Sequence, residues 1–108
     1  MGNELVQGTL DMLVLKILAL APMHGWGITQ RIEQMSQGVF QLIPGSLYPA
    51  LQRLKRQGKI HSFWSTTENN RRARYYELTP AGRLQLEEET ERWERVSAAV
   101  NRIVRTAH

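Results

Sequence analysis

The sequence predicts a mainly α domain in which three helices, a β-hairpin and one long final helix follow one another. Three observations carry this. Apolar residues recur at helical spacing in four segments, Gly and Pro cluster between them, and two aromatic-rich runs bracket a polar tip. At 108 residues the chain is one domain, long enough to bury a core without staples. It has no Cys, which excludes a disulfide framework, a thiolate nucleophile and a zinc ribbon.

The first helix is expected over residues 3–21. Its apolar positions, Leu5, Leu10, Met12, Leu13, Val14, Leu15, Ile17, Leu18 and Leu20, go nearly all the way round. One neighbour cannot cover such a helix, so it needs contacts on two sides, one of which could be a second subunit. The run Pro22 to Gly27 breaks it. A second helix is expected from about Trp26 or Gly27 to Ser36, with Ile28, Ile32 and Met35 as its stripe and Gln37-Gly38 as its end. Residues 39–43 read as a connecting turn or a brief strand.

The third helix is expected to open near Ser46, carry Pro49 in its first turn, and end at Gly58 as a C′ glycine. Residues 60–66 and 73–78 are the two hairpin strands, joined through the polar tip Thr67 to Arg72. Thr79-Pro80 opens the last helix, with a hydroxyl at the N-cap and proline at the first helical position. That helix runs to about Arg105. Its seam of Leu86, Trp93, Val96, Val100, Ile103 and Val104 follows heptad steps and calls for a partner helix.

Three helices followed by a two-stranded ribbon is the element order of a winged helix-turn-helix, and the charge agrees. Residues 45–75 hold seven Lys and Arg against Glu68 alone, a net of +6, whereas the rest of the chain nets −2. Positive charge concentrated in this way suits a polyanion, most often nucleic acid; its structural alternative is a solvated face whose arginines pair with glutamates. On the third helix Leu47, Leu51 and Leu54 form an apolar stripe beside the small Ala50. The other side shows Ser46, Tyr48, Gln52, Arg53 and Arg56, so the helix is expected to be apolar inward and hydrogen-bonding outward. Arg and Gln suit guanine and adenine edges, while Ser46 and Tyr48 suit phosphate near the helix start. Arg71, Arg72 and Arg74 make the hairpin tip basic, fit to enter or straddle a minor groove. The aromatics Phe63, Trp64, Tyr75 and Tyr76 read as core and sheet packing.

The run GSLYPALQRLKRQGKI (Gly45 to Ile60) closely resembles the third-helix signature of the PadR family of bacterial transcriptional regulators. HGWGI (His24 to Ile28) and RYYELTPAGR (Arg74 to Arg83) resemble it too, so the likeness covers nearly the whole chain. The resemblance implies a winged-helix repressor acting as a homodimer, of the short subfamily with a single C-terminal helix. It implies that Ser46, Leu47 and Tyr48 begin the recognition helix and that Arg71 to Arg74 form the basic wing. It also matches Trp93 to a tryptophan that, in multidrug-responsive relatives, lines a pore at the dimer centre and stacks on flat aromatic ligands. Gly27 departs from the pattern, since relatives carry an acidic or larger residue there, and a looser start of the second helix is expected.

The dimer interface is expected from Leu10, Leu13, Ile17, Leu86, Trp93, Val96, Val100 and Ile103, joining first and last helices of two copies. Trp93 is read both as interface core and as a site for a planar aromatic effector. Two units are expected, a DNA-binding part at 1–78 and a dimerisation helix at 79–108. His24, His61 and His108 lack metal spacing, so neither metal nor cofactor is expected. Glu87 to Glu94 are expected to suit the positive end of the last helix and to pair with Arg83, Arg92 or Arg95. No Gly-rich phosphate loop, no G-x-S-x-G and no His with an orienting acid is present, which excludes the common catalytic designs.

Double-stranded DNA is thus the expected partner, with a winged-helix module for protein–protein contact as the alternative. The longest apolar stretch, Leu10 to Ala21, is too short and too charged to span a bilayer, and no signal-peptide pattern opens the chain. A cytoplasmic, nucleoid-associated location is expected.

Overall fold

The all-round apolar character of the first helix is explained by its place at the centre of the fold. In the computed structural model, which describes residues 7–107, α1 spans Gln7–Leu20. The expected helix start at residue 3, with Leu5, lies outside the described residues. Val14 and Leu15 are fully buried, and Leu10, Ile17 and Leu18 nearly so. They are covered from within the same chain by α2 (Gly25–Met35), α3 (Pro44–Arg56), β3 (Arg72–Leu78) and α4 (Pro80–Val104). The need for a second side is therefore met without a second subunit.

Between α1 and α2 lies β1 (Met23–His24), which the sequence does not announce. It pairs antiparallel with β3, Met23 against Tyr76 and His24 against Tyr75, and β3 pairs in turn with β2 (Ile60–Thr66). The sheet order is β1-β3-β2, so the wing is rooted in a third short strand. His24 also caps α2: its Nδ1 accepts the Gly27 N–H at 3.0 Å. A Cβ on Gly27 would sit 2.8 Å from Met23 Cγ. The start of α2 is thus closely packed and capped, contrary to the looseness expected from the glycine.

Helix α2 ends in a Schellman motif. The Gly38 N–H bonds to the Glu33 carbonyl and the Gln37 N–H to the Gln34 carbonyl, with Gln37 left-handed at φ 54°. Residues 39–43 form no strand. Side chains hold them instead: Ser36 Oγ accepts the Phe40 N–H at 3.0 Å, and Glu33 Oε2 accepts the Leu42 N–H at 3.2 Å. Leu42 is thereby delivered to the core.

Helix α3 opens two residues earlier than expected, with Ile43 at the N-cap making no side-chain capping bond and Pro44 at the first position. Pro49 consequently falls in the second turn, where it leaves the Gly45 carbonyl without its helical donor. The far end closes as expected on Gly58 (φ 73°), with Lys59 N–H to Leu54 O and Gly58 N–H to Lys55 O. Leu47, Ala50, Leu51 and Leu54 are buried on α1 and the sheet, joined by Ile60 and Tyr76.

Thr79 ties three elements together. Its Oγ1 donates to the Gly58 carbonyl at 2.6 Å and accepts the Gly82 N–H at 3.0 Å, while its own N–H bonds to Lys59 O at 3.1 Å. A Cβ on Gly82 would lie 2.0 Å from that Lys59 oxygen, so only glycine permits α4 to enter this close to the α3–β2 turn. The first part of α4 packs Leu86 into the core. The helix then extends away, and the molecule measures 58 × 31 × 21 Å. The glutamate run begins beyond the first turn of α4, past the reach of the helix dipole. Among the described residues its one ion pair is Glu91 with Arg95, at 3.3 Å.

Candidate nucleic-acid interface

The outward surface of α3 is split into two flanks by helical geometry. Tyr48, Gln52, Lys55 and Arg56 lie on one flank; Tyr48, Lys55 and Arg56 are exposed and Gln52 is half-buried. Ser46 and Arg53, seven residues apart, share the other flank, and both are half-buried. Arg53 is turned inward. Its Nη2 and Nε donate to the two carboxylate oxygens of Asp11 on α1, at 2.6 and 3.3 Å. The guanidinium placed on the reading face by the sequence is therefore engaged in a two-pronged pair inside the domain, with its fork occupied.

The hairpin carries the rest of the positive charge. Thr67 closes the tip, its N–H bonding to Arg71 O at 2.7 Å and its carbonyl accepting from Asn70, which is left-handed at φ 61°. Arg71, Arg72 and Arg74 are all exposed, as expected. Of the four hairpin aromatics, Tyr76 is buried and Phe63 and Tyr75 stack at 5.8 Å on the opposite face of the ribbon. Trp64 departs from the expectation of core packing: it is exposed, with Arg72 and Arg74 against its ring.

Between α2, α3 and the wing opens a groove of about 580 Å³. Leu42, Leu47, Leu51 and Ala73 give it an apolar lining, and Trp26, Tyr48, Arg74 and Tyr76 bring rings and a cation to it. Burial pushes the Tyr76 phenol above its usual range; Arg74 opposes that shift and Tyr48 adds to it. Trp26 is exposed, and it is not among the site residues expected from the sequence. Its only signal was a large apolar ring immediately after a helix start.

The expected interface residues separate into two groups. Leu10, Ile17 and Leu86 are buried in the chain's own core rather than presented on its surface. Leu13 is half-buried in a second groove of about 620 Å³ between α1 and α4, lined also by Met12, Lys16, Trp93 and the carboxylates Glu87, Glu91 and Glu94. Trp93, Val96, Val100 and Ile103 are at least half exposed and form a stripe along the outer part of α4.

The profile of the Transcriptional regulator PadR-like family matches residues 14–88. Transcriptional regulator Rv3488 of Mycobacterium tuberculosis is 35% identical over 77 residues, which cover 71% of this chain and 68% of that protein. The chain belongs to the PadR-like family. A protein described only as uncharacterized, from a transposon of Streptomyces fradiae, is 44% identical over 90 residues, or 83% of this chain and 24% of its own length. Among solved structures, a transcriptional regulator from Clostridium thermocellum superposes with a TM-score of 0.83 at 27% identity, covering 92% of this chain and 96% of its own. A PadR-like transcriptional regulator from Bacillus cereus gives 0.82 at 25% identity, over 94% and 96%. The PadR-like chain is accordingly a winged-helix transcriptional regulator, and its family is one of regulators rather than enzymes. Among the described residues no helix is long and apolar enough to cross a membrane.

Proposed function

We propose that this regulator is a homodimeric repressor that occupies a pseudo-palindromic operator. The carrying observation is the convergence of Tyr48 from α3 and Arg74 from the wing on one groove, with Trp26 beside them. A DNA strand laid across it finds a cation for phosphate and apolar rings for deoxyribose, which positions the duplex. Gln52 and Arg56 on the outward flank of α3 are then the base-reading side chains, and Ser46 a phosphate contact at its start. Arg71 and Arg72 follow the backbone from the wing tip. Residues 1–78 act as the DNA-binding part and 79–108 as the dimerisation helix.

Dimerisation rests on the stripe Trp93, Val96, Val100 and Ile103, an apolar surface too regular to be left in water. It sets two copies of α3 about 34–36 Å apart, one turn of DNA. The α1–α4 groove, with Trp93 and three carboxylates, suits a planar aromatic effector carrying positive charge. Such a ligand relieves repression only by binding one dimer shape better than the other.

Selection of bound duplex from a random pool tests the reading, because it reports sequence preference and half-site spacing together. Enriched inverted repeats one helical turn apart are expected. No enrichment, with retention on DNA that is indifferent to salt, would favour the protein–protein module instead.

A further inference from the structure

Trp64 is half exposed in the middle of β2, away from the core that absorbs Tyr76. Its cross-strand partner is Arg74, and Arg72 lies opposite Thr66, two positions along the same strand. Side chains alternate along a strand, so Trp64, Arg72 and Arg74 share one face of the ribbon. The guanidinium carbon of Arg74 is 4.7 Å from the Trp64 ring centre and that of Arg72 is 4.9 Å from it. Both distances are within cation–π range. Arg74 Nη1 also donates to Ser62 Oγ at 3.0 Å. Among the described residues neither arginine has a carboxylate partner.

Two like charges on long, mobile side chains separate into water unless something holds them. Here one electron-rich indole lies against both, and it adds no charge of its own. We propose that Trp64 is a positioning residue that keeps Arg72 and Arg74 side by side as a preformed two-cation seat for DNA phosphates. This rests on the DNA-binding reading above. Guanidinium groups already gathered lose less freedom on meeting phosphate, so the ring raises affinity without changing how many phosphates are neutralised.

The test has two readouts. In the free protein, ring current shifts the Arg72 and Arg74 Hδ protons upfield in NMR spectra; Trp64→Leu abolishes the shift and Trp64→Phe keeps part of it. Binding is then measured by anisotropy on a labelled 30-base-pair mixed-sequence duplex across a salt series. Trp64→Leu is expected to bind about three- to tenfold more weakly with an unchanged salt slope, and Trp64→Phe to recover most of the loss. In an Arg72→Ala/Arg74→Ala background, itself shallower in salt slope by about two, Trp64→Leu adds nothing further.

An equal loss in that background, or a loss that Trp64→Phe does not recover, overturns the proposal, since the ring then acts directly on DNA or through the fold. Wild-type binding with an unaffected Trp64→Leu overturns the proposal alone. A wild-type protein that ignores the duplex at low salt overturns the DNA reading and this proposal with it.

Discussion

Arg53 of α3 and Asp11 of α1 meet through a two-pronged ion pair whose shorter contact is 2.6 Å, binding the candidate recognition helix to the central helix. Both side chains are largely shielded, at 22% and 15% exposed, so removing one leaves the other short of partners. Arg53→Ala is expected to cost about 1–3 kcal/mol in urea unfolding. Asp11→Asn combined with it should cost less than the sum of the two single changes. Operator preference, measured on the folded variant, should change little if the fork serves the fold.

Gly82→Ala is expected to be among the most damaging small changes in the chain. The new methyl would meet the Lys59 carbonyl oxygen, a backbone atom with no rotamer to escape into. A loss of more than about 2 kcal/mol in thermal or urea unfolding is expected. Gly8→Ala, where open space surrounds the added atom, is the control.

Gln37→Gly should act in the opposite direction. Gln37 holds a left-handed conformation at the C′ position of α2, where a side chain is strained and glycine is not. A gain of about 0.5–1 kcal/mol is expected after the added freedom of the unfolded chain is counted.

Trp93→Glu with Val100→Glu should yield monomers by light scattering while leaving the fold intact, since both side chains are exposed within one chain. Leu86→Glu would not make the same test, because it buries a charge in the core. A double variant that stays dimeric would refute the α4 stripe as the interface.

The phenol of Tyr76 is pushed up by burial, so the folded state holds its proton more tightly than the unfolded chain. Its contribution to stability is fully present below the unfolded pKa of about 10 and is lost as pH rises through the folded value. Absorbance titration should show a phenolate component above pH 10 that vanishes in Tyr76→Phe. That variant should also unfold less steeply with rising pH in this range.

The periodic elements were legible because each carries its own burial pattern. The stripe Leu47, Leu51 and Leu54 locates α3, and Thr79-Pro80 marks the start of α4 to the residue. β1 was not legible, since two residues form a strand only when Tyr75 and Tyr76 are already in place. The inward turn of Arg53 was hidden for a similar reason. A helix's own pattern says which side is apolar, but not which polar flank faces a neighbour. Asp11, 42 residues away, supplies that information. Leu10, Ile17 and Leu86 read as interface because a seam facing a partner and a seam facing the same chain have equal periodicity. Trp64 read as core because composition cannot distinguish an indole seeking oil from one seeking cations.

The knot of bonds at Thr79 has a mechanical consequence. One hydroxyl and one amide fasten the root of a 25-residue rod to the turn that ends α3, with no slack residue between them. Such a rod is about 37 Å long, so a tilt of about 5° at its root sweeps its tip through about 3 Å. The arrangement is a lever with a short, stiff fulcrum. Displacement at the distal seam returns to the α3 end as torque, geared down roughly in proportion to distance from the pivot.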